Sequence, residues 1–135
     1  MTNTIQTNAS RRALVVDDIL VNRSLAVAIL SKMGWQVADV DSGSEALRWL
    51  TNNPAVDLIL LDIKMPDLSG EEVCRELRAN PAFSTVPIVA YTAHAMQADI
   101  DRFLENGFSA VAIKPVSIQG LKDVVRGLFP DGTAP

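Results

Sequence analysis

The chain holds 135 residues, 48% hydrophobic and 21% charged. These are the proportions of one ordinary globular domain, which excludes wholesale disorder and a fibrous repeat. Its formal net charge of −4 excludes the basic field that non-specific nucleic-acid binding or a polybasic membrane patch requires. One cysteine, Cys74, and one histidine, His94, leave no internal disulfide and no Cys/His set for zinc.

Residues 1–11 are polar and lack a hydrophobic period, so a tail is expected there. The apolar run at 13–16 is followed by Asp17 and Asp18, then by a helical pattern over 20–33 that Gly34 stops. A second run at 36–40 leads to Ser42-Gly43-Ser44-Glu45, a capping-box spacing that opens a helix over 44–51. The third run, 58–61, ends on Asp62. Ser69-Gly70-Glu71-Glu72 then opens a helix over 70–80. The fourth run, 87–91, is followed by Thr92 and a helix over 95–106 closed by Gly107. The fifth, 110–113, is followed by Lys114, Pro115 and a helix over 118–128. Residues 130–135 read as a stop, leaving one domain at 12–129 between tails at 1–11 and 130–135. No apolar run reaches the ~18 residues of a membrane span and the start is too polar for a secretory signal, so a cytoplasmic domain without membrane contact is expected.

Five short apolar runs alternating with five helices predict an α/β fold. Its sheet is parallel, with right-handed crossovers and helices on both faces. Continuous Val, Ile and Leu runs fit strands buried on both faces. In such sheets ligands sit at the carboxyl ends of the strands. The residues just past each run are Asp17, Asp18, Asp62, Thr92 and Lys114, so three acids and one ammonium converge on one edge. At about 4 Å and an effective dielectric near 20, each carboxylate pair repels by on the order of 4 kcal/mol. Protonation or a cation must relieve this. Hard oxygen donors without histidine favour Mg²⁺. Three aspartates, one Mg²⁺ and one lysine sum to neutrality, so the site tolerates an acyl phosphate at Asp62.

Four pieces in order, Leu14-Val15-Val16-Asp17-Asp18, Asp62-Ile63-Lys64-Met65-Pro66-Asp67-Leu68-Ser69-Gly70, Ala90-Tyr91-Thr92-Ala93 and Lys114-Pro115, together resemble the receiver domain of two-component response regulators. Ala93-His94-Ala95-Met96 is similar to receivers of hybrid histidine kinases and of some single-domain regulators. The resemblance implies a five-stranded sheet in the order 2-1-3-4-5, the flavodoxin-like receiver fold. It implies that Asp62 accepts a phosphoryl group and that Asp17, Asp18, Asp62 and the backbone carbonyl of Lys64 hold Mg²⁺. Lys114 then pairs with a phosphoryl oxygen, and Thr92 bonds to the phosphoryl group and draws its loop inward. The Lys114-Pro115 bond is expected cis, orienting the lysine. Ala93 leaves room for a donor, and His94 and Lys64 border the path of attacking water. Where the family often carries an aromatic three residues before the lysine, this chain has Val111.

The implied partners are a histidine kinase or a histidine phosphotransfer protein and a downstream protein target, with the domain a monomer or weak dimer. Apolar residues wrap almost all round the first helix, more than one buried stripe needs. That surplus marks Leu20, Val21, Ala26 and Val27 as a candidate partner surface. The domain is expected to be no enzyme beyond assisting its own phosphorylation and dephosphorylation.

Taken singly, these residues have plainer readings. Asp17 and Asp18 can cap the following helix, and Thr92, Lys114 and His94 can be loop or surface residues. Cys74 reads as a half-buried helix residue. An aspartate-nucleophile phosphatase of the haloacid type needs a second acid where Lys64 stands. A flavin mononucleotide carrier needs a hydroxyl-rich first loop where Asp17-Asp18-Ile19 stands. A receiver-like interaction module working without phosphorylation, or the receiver of a hybrid histidine kinase, is the remaining alternative.

Overall fold

The structure, a computed structural model, describes residues 11–130. The expected tails therefore lie, apart from Arg11 and Pro130, outside the described residues. In chain order the elements are β1 (Arg12–Val16), α1 (Leu20–Lys32), β2 (Gln36–Val40), α2 (Gly43–Asn52), β3 (Leu58–Asp62), α3 (Gly70–Arg78), a 3₁₀ turn (Pro81–Phe83), β4 (Ile88–Thr92), α4 (Gln97–Glu105), β5 (Ala110–Ile113) and α5 (Ile118–Leu128). All strand pairs are parallel, in the order β2-β1-β3-β4-β5.

The order explains which strands are apolar throughout. β3 and β4 are buried along their whole length, and β1 from its second residue. They lie between neighbours and under helices on both faces. The expectation of full burial fails at β2 and β5, the two edges, where Gln36, Asp39 and Ile113 are exposed. On one face, Ala26, Ile29 and Leu30 of α1 pack with Leu121 and Val125 of α5 over Val15, Leu60, Val89 and Tyr91. On the other, Ala46, Leu50, Val73, Leu77 and Phe103 from α2, α3 and α4 cover Leu14, Val16, Ile59 and Leu61. Two cores thus sandwich the sheet, as layer packing requires.

The helix boundaries follow local chemistry. Ser69 accepts from the Glu72 amide while Glu72 accepts from the Ser69 amide, a complete capping box at α3. At α2 only half of the box forms. Ser42 accepts from Glu45 at 3.2 Å, and the Glu45 carboxylate turns to Arg48 instead. Gly34 (φ 97°) and Gly107 (φ 109°) hold the left-handed conformation that ends α1 and α4. The 70–80 pattern stops at Arg78, because Pro81 cannot continue a helix and starts the short 3₁₀ turn capped by Asn80.

Candidate functional site

Register delivers the site. Val16 pairs with Leu61 and Asp62 pairs with Tyr91, so the ends of β1, β3 and β4 finish level. Asp17 and Asp18 leave β1 beside Asp62. One oxygen from each of the three carboxylates lies within 4.8 Å of the others. Lys114, just past β5, places Nζ 2.7 Å from Asp17 Oδ2 and 3.0 Å from Asp62 Oδ1. The Lys114-Pro115 bond is cis. Asp17 is buried. Its Oδ1 accepts from the Ile19 amide at 2.8 Å, while no aligned donor reaches Oδ2, which meets only the ammonium. Asp17 therefore braces the turn before α1 rather than capping it, and the N-cap position falls to Ile19.

The electrostatics are those of crowded acids with one cation. Burial pushes the Asp62 carboxyl up from 3.8 to about 6, and the charge of Asp17 adds to this against the opposing Lys114 hydrogen bond. Burial works against the Lys114 ammonium too, but its bonds to Asp17 and Asp62 outweigh that and hold its pKa above the ordinary value. The donor set is entirely hard oxygen, three carboxylates against a single ammonium. A small divalent cation such as Mg²⁺ fits it.

Thr92 is buried beside the trio, but its hydroxyl serves its own loop. It donates to the His94 carbonyl at 3.0 Å and accepts from the His94 amide at 3.1 Å. His94 and Ala93 are exposed, as is Pro115. Lys64 is exposed and lines a cleft of about 500 Å³ with Asp18, Met65, Glu71 and Arg102. Of the candidate partner residues, Leu20 and Val21 are 65% and 71% exposed. Ala26 is wholly buried and Val27 packs half-buried on the same core. Ala26 is corrected out of the surface, because its helical position turns it onto the sheet, whereas Val27 keeps part of its side chain exposed. Cys74 is fully buried, not half-buried, and burial raises its thiol pKa.

Three contributors escaped the sequence reading. The Tyr91 ring lies under Lys114, whose Nζ is 4.9 Å from its centroid, and its hydroxyl donates to the Asn22 carbonyl of α1 at 3.2 Å. Burial, then Asp17 and Asp62, push that phenol up to about 12. Period-two alternation along β4 was the available signal, since it sets Tyr91 on the α1 side. Asp67 ties the β3–α3 loop to α2, accepting from the Gly43, Ser44 and Leu68 amides and from the Ser44 hydroxyl. Those bonds, the hydroxyl first, hold its carboxyl down to about 2. Arg102 of α4 closes the cleft by pairing with Glu71 of α3 and Asp99, each at 3.1 Å. Neither loop-bridging contact has a local sequence signature.

A parallel sheet in this order, with a buried acidic trio and a lysine at its carboxyl edge, defines a class: signalling domains that take a phosphoryl group on an aspartate. The model of the response regulator receiver domain matches residues 13–126, and the chain belongs to that family. It is 37% identical over 123 residues to hybrid signal transduction histidine kinase I of Dictyostelium discoideum, covering 86% of this chain but only 7% of that protein. It is 30% identical over 122 residues to the polar-differentiation response regulator DivK of Brucella ovis, covering 90% of this chain and 98% of DivK. Among solved structures it is similar to the receiver domain of sensor histidine kinase PA1611 from Pseudomonas aeruginosa PAO1. The TM-score is 0.81 and the identity 32%, with 90% of this chain and 99% of that one covered. That receiver was solved with a magnesium ion coordinated in its active-site cleft. Receivers are signalling domains rather than classical enzymes. Among the described residues no helix is long and apolar enough to cross a membrane.

Proposed function

We propose that residues 12–129 form a phosphoacceptor switch in a cytoplasmic two-component or phosphorelay pathway, with Asp62 as the acceptor. The supporting observation is the convergence of three carboxylate oxygens within 4.8 Å, with the Lys114 ammonium 3.0 Å from Asp62. An Asp62 oxygen attacks the phosphorus of a phosphohistidine in line. The phosphorus–nitrogen bond breaks and the imidazole leaves. Asp17, Asp18, Asp62 and the Lys64 carbonyl would hold Mg²⁺, which would supply positive charge to offset that of the transferred group. Lys114 stays in place throughout, braced by Asp17 and Tyr91, and its ammonium passes from the Asp62 carboxylate to a phosphoryl oxygen. The Thr92 hydroxyl leaves the His94 backbone for the phosphoryl group, and the β4–α4 loop follows. That loop is the two-state element a downstream protein would read. Ala93, without bulk, and the exposed His94 and Pro115 border the opening. A histidine kinase or phosphotransfer protein docks across Leu20 and Val21, the exposed apolar start of α1, with the domain a monomer or weak dimer.

Intact mass after incubation with Mg²⁺ and acetyl phosphate tests this. The wild type is expected to gain one phosphoryl group, about 80 Da, and Asp62→Asn none. Equal gains, or no gain in the wild type, would overturn the assignment. Lys64 sets the lifetime of the phosphorylated form: its exposed ammonium stands at the cleft through which water reaches the acyl phosphate. Lys64→Ala should speed loss of the phosphoryl group a few-fold in a decay time course, and an unchanged rate would refute the role.

A further inference from the structure

We propose a second docking surface, the groove between α1 and α5, which takes an amphipathic partner helix edged with acidic residues. The groove holds about 850 Å³, within the range of built binding clefts. Its floor is apolar, with Ile29 of α1 and Met33 just past it, and Val125 of α5 and Phe129 just past it. Its lining carries three cations, Lys32, Lys122 and Arg126, and no acid. None of the three has a carboxylate partner within 4.0 Å among the described residues, whereas Arg23, Arg48 and Arg102 are each paired. Asp123, the one acid of α5, lies outside the lining and accepts from Gln119. Unpaired cations around an apolar floor, in a chain of net charge −4, select an apolar helix face with acidic flanks.

The same charges disfavour the other occupants. A second copy docked face to face would set the three cations against themselves. Residues 1–10 contain no Asp or Glu to meet the rim, and residues 131–135, Asp-Gly-Thr-Ala-Pro, contain no large apolar side chain to fill the floor. The groove draws mainly on the C-terminal half of α1, whereas the acidic trio adjoins its start. A helix seated there leaves Asp62 open to its donor. The proposal goes beyond the phosphoacceptor reading and does not depend on it.

The probe is a synthetic helical peptide with leucine at every a and d heptad position and glutamate on both flanks, compared with its lysine-flanked twin. Both are titrated at low salt into the uniformly ¹⁵N-labelled full chain. The acidic peptide is expected to shift amides confined to residues 25–33 and 118–129. Lys122→Glu/Arg126→Glu should weaken it about tenfold, as should added salt or exchange for the lysine-flanked twin. Lys122 is half-buried and Arg126 is exposed in the last turn of α5, so the charge reversals should lower the thermal midpoint by a few degrees at most and leave acetyl-phosphate labelling unchanged. If the double variant fails to fold, Lys32→Ala serves in its place, with a smaller weakening expected. No binding of the acidic peptide, equal binding of both peptides, or shifts centred elsewhere would overturn the proposal. Because labelling at Asp62 is read by mass on the same samples, a failed groove and a failed phosphoacceptor are told apart.

Discussion

Gly70→Ala is expected to destabilise the domain by about 2–4 kcal/mol, as a lowered urea midpoint, and to depress phosphoryl uptake with it. Helix propensity alone argues the opposite, since alanine is favoured over glycine in a helix interior by about 1 kcal/mol. Position decides. Gly70 opens α3, and its amide donates to the Ile63 carbonyl at 2.8 Å, folding the chain back onto the end of β3. A Cβ there would lie 2.2 Å from the Asp62 carbonyl oxygen and 2.9 Å from the Ile63 Cα. Both are backbone atoms, so no side chain can swing away, and either the helix start or the Asp62 strand end must move. Displacing that strand end also shifts the acceptor carboxylate against Lys114. Gly127→Ala in α5 is the internal comparison. A Cβ there meets nothing within 4 Å, so the propensity gain survives and the midpoint should rise slightly. If the two substitutions behaved alike, close backbone approach would not be the reason for Gly70.

The contrast between these glycines shows what a linear sequence discloses. The alternation of apolar runs with helical periods is a local property, and it located all five strands and five helices to within about two residues. It also located Asp17, Asp18, Asp62, Thr92 and Lys114, because a parallel sheet sends every strand's carboxyl end to the same edge. Exposure was less legible. Ala26 and Leu25 are neighbours of similar character, yet one is buried under α1 and the other is 37% exposed. The difference is set by helical phase, about 100° between successive residues, which puts Ala26 on the same face as Ile29 and Leu30. The half-buried edges β2 and β5 likewise depend on strand order, which short apolar runs do not encode. Least legible were contacts that join distant segments through side-chain tips. Asp67 reaches α2 across 24 residues, Arg102 reaches Glu71 across 31 and the Tyr91 hydroxyl reaches Asn22 across 69. Each is a hydrogen bond or ion pair between residue types that also occur on ordinary surfaces, so composition and period carry no trace of it.

Asp62→Asn is expected to make the metal-free protein more stable at pH 7.5, by on the order of 1–3 kcal/mol, even as it abolishes phosphoryl uptake. In the fold the Asp62 carboxyl is held at about 6 instead of 3.8, by burial first and then by Asp17, with Lys114 opposing. A carboxyl whose folded pKa lies above its unfolded one opposes folding when it is ionised. The penalty is fully present above pH 6, fades as pH falls through 6, and vanishes below about pH 4, where folded and unfolded chains are both protonated. Asparagine keeps the shape and removes the charge, so its advantage should follow the same profile, largest at pH 7.5 and near zero at pH 4. The lost ion pair with Lys114 works the other way and keeps the gain below its upper bound, since Asp17 still faces the ammonium at 2.7 Å. Urea unfolding of both proteins in EDTA at a series of pH values measures the difference. Adding Mg²⁺ at pH 7.5 should stabilise the wild type more than the variant and narrow the gap, because the cation relieves the repulsion that asparagine had already removed. A variant less stable than the wild type at pH 7.5 in EDTA, or a gain that grows on acidification, would mean that Lys114 outweighs burial and that the acidic trio is content without a cation.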